Sequence, residues 1–156
     1  MYAGHIGIGA TARRPDIPLA VLVVASLLPD LLVDPLFHTV PAVVALVVAA
    51  YLVGWLRWDG EVAMVLSALV LSHFLVDLLT SDLDVWPGSD LEIGLGLYDV
   101  PVLDFALEAT VIIAGWFAWR RSLHAATMQR TRPMLVLLLA SQAVFALLVS
   151  GTANSG

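Results

Sequence analysis

The apolar run Leu66-Ser-Ala-Leu-Val-Leu-Ser-His-Phe-Leu-Val-Asp-Leu-Leu-Thr80 carries two ionisable residues, His73 and Asp77, inside a segment that reads as a membrane helix. On a helix, residues four apart stand one above the other on one face, so this imidazole and this carboxylate are held side by side. Both groups are costly in hydrocarbon, which makes an intramembrane pair a candidate for function. Read for structure alone, the pair is a histidine hydrogen-bonded to an aspartate near a helix end. The residues around the run weigh between the two.

The chain has 156 residues, 60% of them hydrophobic and only 13% charged. A soluble domain carries about 25% charged residues. Five apolar stretches, Ile17–Leu32, Val40–Leu56, Val62–Thr80, Val100–Trp119 and Met134–Val149, come close to or within the ~17–25 residues that cross a bilayer. The expectation is an all-α polytopic membrane helix bundle, one domain over 1–156, with about five transmembrane helices. Met1–Ala12, with Gly4, Gly7 and Gly9, reaches only ~18 Å as a helix. It reads as a short N-terminal half-helix dipping into the bilayer from the Arg13 end. A net charge of −6 argues against nucleic acid and leaves the lipid bilayer as the expected partner.

Charge sets the expected orientation. Arg13 and Arg14 precede the first span, Arg57 lies between the second and third, and Arg120, Arg121, Arg130 and Arg132 lie between the fourth and fifth. With five spans, all of these fall on one side. The other side receives Asp34, Asp82, Asp84, Asp90, Glu92 and Asp99. The positive-inside rule makes the Arg side cytoplasmic, with the N-terminus inside, and Trp55, Trp58, Trp116 and Trp119 fall where an interfacial aromatic belt belongs.

On that topology the costly residues share a level. Asp30 ends the first span and His38 follows in the short outer connection. His73 and Asp77 lie roughly 10 and 5 Å below the outer end of the third span, and Asp104 and Glu108 roughly 6 and 12 Å below the outer start of the fourth. His5 on the half-helix reaches about mid-depth. His124, between the inner Arg pairs, reads as a solvated interfacial residue. Carboxylates at such depth cost ~2.5–3.5 kcal/mol each when uncompensated, and divalent cations would give each a partner. There is no cysteine, so the donors are imidazole and carboxylate, which suit zinc, with manganese or iron as alternatives, in one to three ions. A zinc site with an open position lowers the pKa of its water to ~7, and two metals ~3.5–4 Å apart suit phosphoester hydrolysis.

The order Gly4-His5, Leu28-Pro29-Asp30, His38, then Ser72-His73-Phe-Leu-Val-Asp77 resembles the small prokaryotic membrane-bound metal-dependent hydrolases. Trp86-Pro-Gly and Ile93-Gly-Leu-Gly-Leu-Tyr98 resemble a subgroup of them. The resemblance implies a metal-dependent hydrolase of the prokaryotic cytoplasmic membrane, with ligands at His5, Asp30, His38, His73 and Asp77. More distantly, the series is similar to zinc-dependent phospholipase C and the P1-type nucleases, where a His-x-x-x-Glu completes a multi-zinc site. Asp104-Phe-Ala-Leu-Glu108 stands in that place, with Asp for His. Phe37-His38-Thr39 departs from the Ser-His-Ser of relatives.

The expected function is metal-assisted hydrolysis of a phosphoester in a lipid or lipid-linked substrate, in the outer half of the bilayer. His5, Asp30, His38, His73, Asp77 and Glu108 would hold metal, and Asp104 would serve as ligand or catalytic base. Two alternatives stay open: a divalent-cation or proton carrier, and a non-catalytic protein braced by metal. The apolar inner halves of the second to fourth spans count against a continuous transit path.

Overall fold

A computed structural model describes residues 2–14, 16–32, 35–121 and 131–153. Asp34, His124 and Arg130 lie outside the described residues. The chain is all-α in class. Among the described residues the helices are α1 (Tyr2–Thr11), α2 (Leu19–Ser26), α3 (Leu28–Leu31), α4 (Val40–Arg57), α5 (Gly60–Thr80), α6 (Pro101–Arg121) and α7 (Arg132–Ala153). Short 3₁₀ turns at Pro35–His38 and Leu97–Asp99 and one small antiparallel hairpin, β1 (Leu83–Asp84) with β2 (Glu92–Ile93), complete it.

Local chemistry explains the long helices. Asp59 caps α5 by accepting a 2.8 Å hydrogen bond from the Val62 amide, satisfying one of the donors a helix start leaves open. Pro41 sits in the first turn of α4 and Pro101 opens α6, where a missing N–H costs nothing. Among the described residues, α4, α5 and α6 are each long and apolar enough to cross a membrane. The described apolar part of α7, Arg132–Leu147, is shorter than a span.

Three such helices stand where five spans are expected, and Ile17–Leu32 differs most. That stretch is two pieces, α2 of eight residues and α3 of four, broken at Leu27, where φ is −106° and ψ is 3°. Pro29 supplies the reason: it has no amide hydrogen, and its ring crowds the carbonyl four residues back.

The main apolar core lies between α2, α4 and α5, with Leu22, Ala50, Val62, Leu66, Leu69 and Val70 at its centre. Against it packs α1, held close by glycine. A Cβ on Gly7 would stand 3.0 Å from the Ile112 Cα, and one on Gly115 would collide with the Gly7 carbonyl. Small residues of this kind let membrane helices approach backbone to backbone. α1 therefore runs beside α6 in the same direction, Gly4 next to Glu108 and Gly7 next to Ile112. His5 is carried into the interior by this contact.

The described arginines gather at one end. Arg14 reaches the start of α5 through Glu61 at 3.0 Å and also pairs with Asp16 at 3.2 Å, holding the Asp16 carboxyl below its usual range. Arg57 lies over the Trp58 ring at 5.2 Å and Arg120 over Trp116 at 5.0 Å, cation–π contacts suited to an interface. The opposite end carries the hairpin and the acids Asp82, Asp84, Asp90, Glu92 and Asp99. Its connection is tied down by the Leu95 amide, which donates to the Leu78 carbonyl at 3.0 Å.

Candidate metal centre

Three elements bring four side chains to one point near the acid-rich end. Asp30 comes from α3, His38 from the 3₁₀ turn that follows it, and His73 and Asp77 from α5. One ligand atom of each lies within 4.8 Å of every other. Four of the six separations are 2.9 Å for His73 Nε2 to Asp77 Oδ2, 3.3 Å for His38 Nε2 to Asp30 Oδ1, 3.6 Å for His73 Nε2 to Asp30 Oδ1, and 3.7 Å for His38 Nε2 to Asp77 Oδ2. Four ligands at zinc's bond lengths of 2.0–2.1 Å stand about 3.3 Å apart along the edges of a tetrahedron. The observed distances bracket that value.

The hydrogen bonding of His73 gives the cluster its chemistry. Its Nδ1 lies 2.8 Å from the Ser26 carbonyl, which can only accept, so Nδ1 carries the proton and donates. In the neutral ring, Nε2 is then the lone-pair nitrogen, and it points at a carboxylate oxygen 2.9 Å away. Two acceptors at that separation repel unless a cation or an added proton lies between them. Nε2 indeed forms no well-directed hydrogen bond in the buried interior. A metal-binding histidine is usually oriented in this way, its other ring nitrogen donating to a backbone carbonyl or carboxylate.

His5 completes the wall. Its ring stacks on His73 with centroids 3.8 Å apart, and its Nε2 donates to Asp77 Oδ1 at 3.2 Å. Asp77 therefore faces both ways, with Oδ2 toward the four-atom group and Oδ1 toward His5. The His5 Nδ1 is buried without a partner. His5 and His73 side chains are fully buried, whereas His38 is 25% and Asp30 13% exposed, so the centre opens on the His38 side. The hydrogen bond to Asp30 raises the His38 pKa above its ordinary value, against the opposing effect of partial burial.

Of the residues expected from the sequence, Asp30, His38, His73 and Asp77 form the group, and His5 joins it through Asp77. Asp104 and Glu108 are both buried on α6, and no hydrogen bond or ion pair among the described residues joins them to the four. The sequence reading missed Ser26, whose contribution is a backbone carbonyl and so leaves no mark in residue type.

The geometry defines a class, a helical bundle with, among the described residues, three helices of membrane-crossing length and apolarity and a partly buried Asp/His group that could hold a metal ion. No protein-family model, curated protein or solved structure matches the chain.

Proposed function

We propose that this chain is a membrane-embedded, metal-dependent hydrolase acting on a phosphoester in a lipid or lipid-linked substrate. The observation that carries the reading is His73 Nε2 held 2.9 Å from Asp77 Oδ2 inside a group of four converging ligand atoms. Two imidazoles and two carboxylates without sulfur suit zinc, manganese or iron. When bound, such an ion would supply Lewis acidity, polarising a phosphoryl oxygen and making water acidic enough to react near neutral pH.

The chain's own residues divide the remaining work. Ser26 fixes the His73 ring, His5 fixes Asp77, and the buried stack of His5 on His73 closes one side to water. The partly exposed His38 and Asp30 leave an approach, and beside them a cleft of about 160 Å³ is lined by Pro35, Leu36, Thr39, Asp84, Pro87 and Gly88. We place the Arg-rich end in the cytoplasm, which puts this opening in the outer half of a prokaryotic cytoplasmic membrane. A substrate held in the bilayer would reach it with its polar group at the surface.

The test is metal content together with hydrolysis of a phosphodiester, such as a fluorescent phospholipid in mixed micelles. Purified protein should contain divalent metal and hydrolyse the probe, and His73→Ala and Asp77→Asn should abolish both while circular dichroism stays unchanged. Metal without turnover on any phosphoester tried would leave a metal-braced bundle; absence of both would end the proposal.

A further inference from the structure

The stretch Ile93-Gly-Leu-Gly-Leu-Tyr98 has no part in the metal group, yet it is fitted closely to the end of α5. The Leu95 amide donates to the Leu78 carbonyl at 3.0 Å. A Cβ on Gly94 would overlap the Ser81 carbonyl oxygen, so glycine alone lets the two backbones meet. Gly96 turns the chain at φ +57°, a conformation glycine adopts without steric cost, and the 3₁₀ turn Leu97–Asp99 follows. That turn places the half-buried Tyr98 between α5 and α7. Its hydroxyl hydrogen-bonds that of Thr80, and its ring meets the Phe145 ring edge-on at 6.2 Å. Thr80 is fully buried and donates its own proton to the Val76 carbonyl at 3.3 Å, so it receives Tyr98 as an acceptor.

These contacts matter because of what the same connection carries. The hairpin β1–β2 runs directly into this stretch, and its Asp84, Pro87 and Gly88 form one wall of the cleft of about 160 Å³. Pro35, Leu36 and Thr39 form the other wall and flank His38, a member of the metal group. The hairpin is braced internally, the Val85 amide donating to the Leu91 carbonyl at 2.9 Å and the Ser89 hydroxyl to the same carbonyl at 3.2 Å. Buried Leu83 anchors its first strand, and the stretch ending at Tyr98 anchors its second. The cleft therefore has one wall set by the His38 turn and one set by how the connection docks.

We infer that Tyr98 is a positioning residue. Its hydroxyl on Thr80 docks the connection 81–99 on the end of α5, and the docked hairpin holds its wall of the cleft opposite the His38 turn. The cleft has room for about five waters, which suits a small head group esterified to the phosphate. In this role Tyr98 acts on substrate binding and not on the chemical step. The binding part rests on the hydrolase reading, whereas the docking does not.

Tyr98→Phe deletes the hydroxyl and keeps the ring on Phe145. In the full-length protein, hydrogen exchange of the amides in 83–98 should quicken about fivefold, the usual worth of one hydrogen bond, with exchange in α5 unchanged. KM for the fluorescent phospholipid should rise by about the same fivefold factor, with kcat and zinc affinity unchanged, as expected when uniform binding is lost. Thr80→Val should act alike, and the double variant should be no worse than either single one, because both delete the same bond. That comparison separates the bond from general destabilisation, whose effects would add. Unchanged exchange in Tyr98→Phe, or additive effects in the double variant, would overturn the inference. So would a fall in kcat or zinc affinity at unchanged KM, which would place Tyr98 at the metal. Faster exchange in a protein that hydrolyses no phosphoester would support the docking and count against the hydrolase reading alone.

Discussion

His73 spends one ring nitrogen on the Ser26 carbonyl and aims the other at Asp77, and the consequences are specific to each side chain. Asp77→Asn keeps the shape but removes the charge that faces three imidazoles, so divalent-metal affinity should fall well beyond the ~10–100-fold typical of lost outer-shell partners. His5→Ala touches the four-atom group only through Asp77 and should fall within that ~10–100-fold range. Competition with a chromophoric chelator measures both; equal losses would mean that His5 and Asp77 are not ranked as the distances imply. At this scale the i, i+4 spacing made the His73–Asp77 pair legible, because the spacing is a property of any helix. The partner of His73 Nδ1 was not, since a backbone carbonyl can belong to any residue. Nor could spacing tell that Glu108 turns toward Gly4 of α1 and Gln142 of α7. It fixes a shared face but not which neighbour that face meets.

Among the elements, the broken segment α2–α3 does what a continuous helix would not. Pro29 interrupts it, and the four-residue α3 swings Asp30 to within 3.3 Å of His38 and 3.6 Å of His73. Pro29→Ala restores an amide that can bond to Ala25 and lets the helix run on, carrying Asp30 away. The expected outcome is weaker metal binding with thermal stability of the metal-free protein unchanged or raised, since an interior proline costs a helix ~3 kcal/mol. Chelator competition and thermal melts read the two effects separately; unchanged affinity would show that the break does not position Asp30. The hydropathy of Ile17–Leu32 suggests one span running to Pro29-Asp30, whereas the missing Pro29 amide breaks the helix already at Leu27. The long helices were more legible because their ends carry their own signals: Asp59 before α5, Pro41 within α4 and Pro101 at the start of α6.

Over the whole molecule, the described arginines lie at one end and the metal group near the other. If the Arg-rich end is cytoplasmic, a cysteine at Asp90 or Glu92 should react with a membrane-impermeant maleimide in intact cells, and one at Arg132 only after permeabilisation. The chain has no cysteine of its own, so each single label is unambiguous. Reversed labelling would invert the orientation and put the opening toward the cytoplasm. The same burial that hides the ligands makes the fold depend on what neutralises them, because His5, His73 and Asp77 sit among α1, α2 and α5 with few alternatives for their charges.

That dependence makes the thermal melting of the purified chain, with zinc and then with a chelator, the sharpest measure of the metal centre. Free zinc at 100 times its dissociation constant stabilises the folded form by about 2.7 kcal/mol, which for ~150 residues is a rise in melting temperature of about 5–10 °C. The rise should vanish in Asp77→Asn. A wild-type chain that melts at the same temperature with zinc as with chelator would contradict the account.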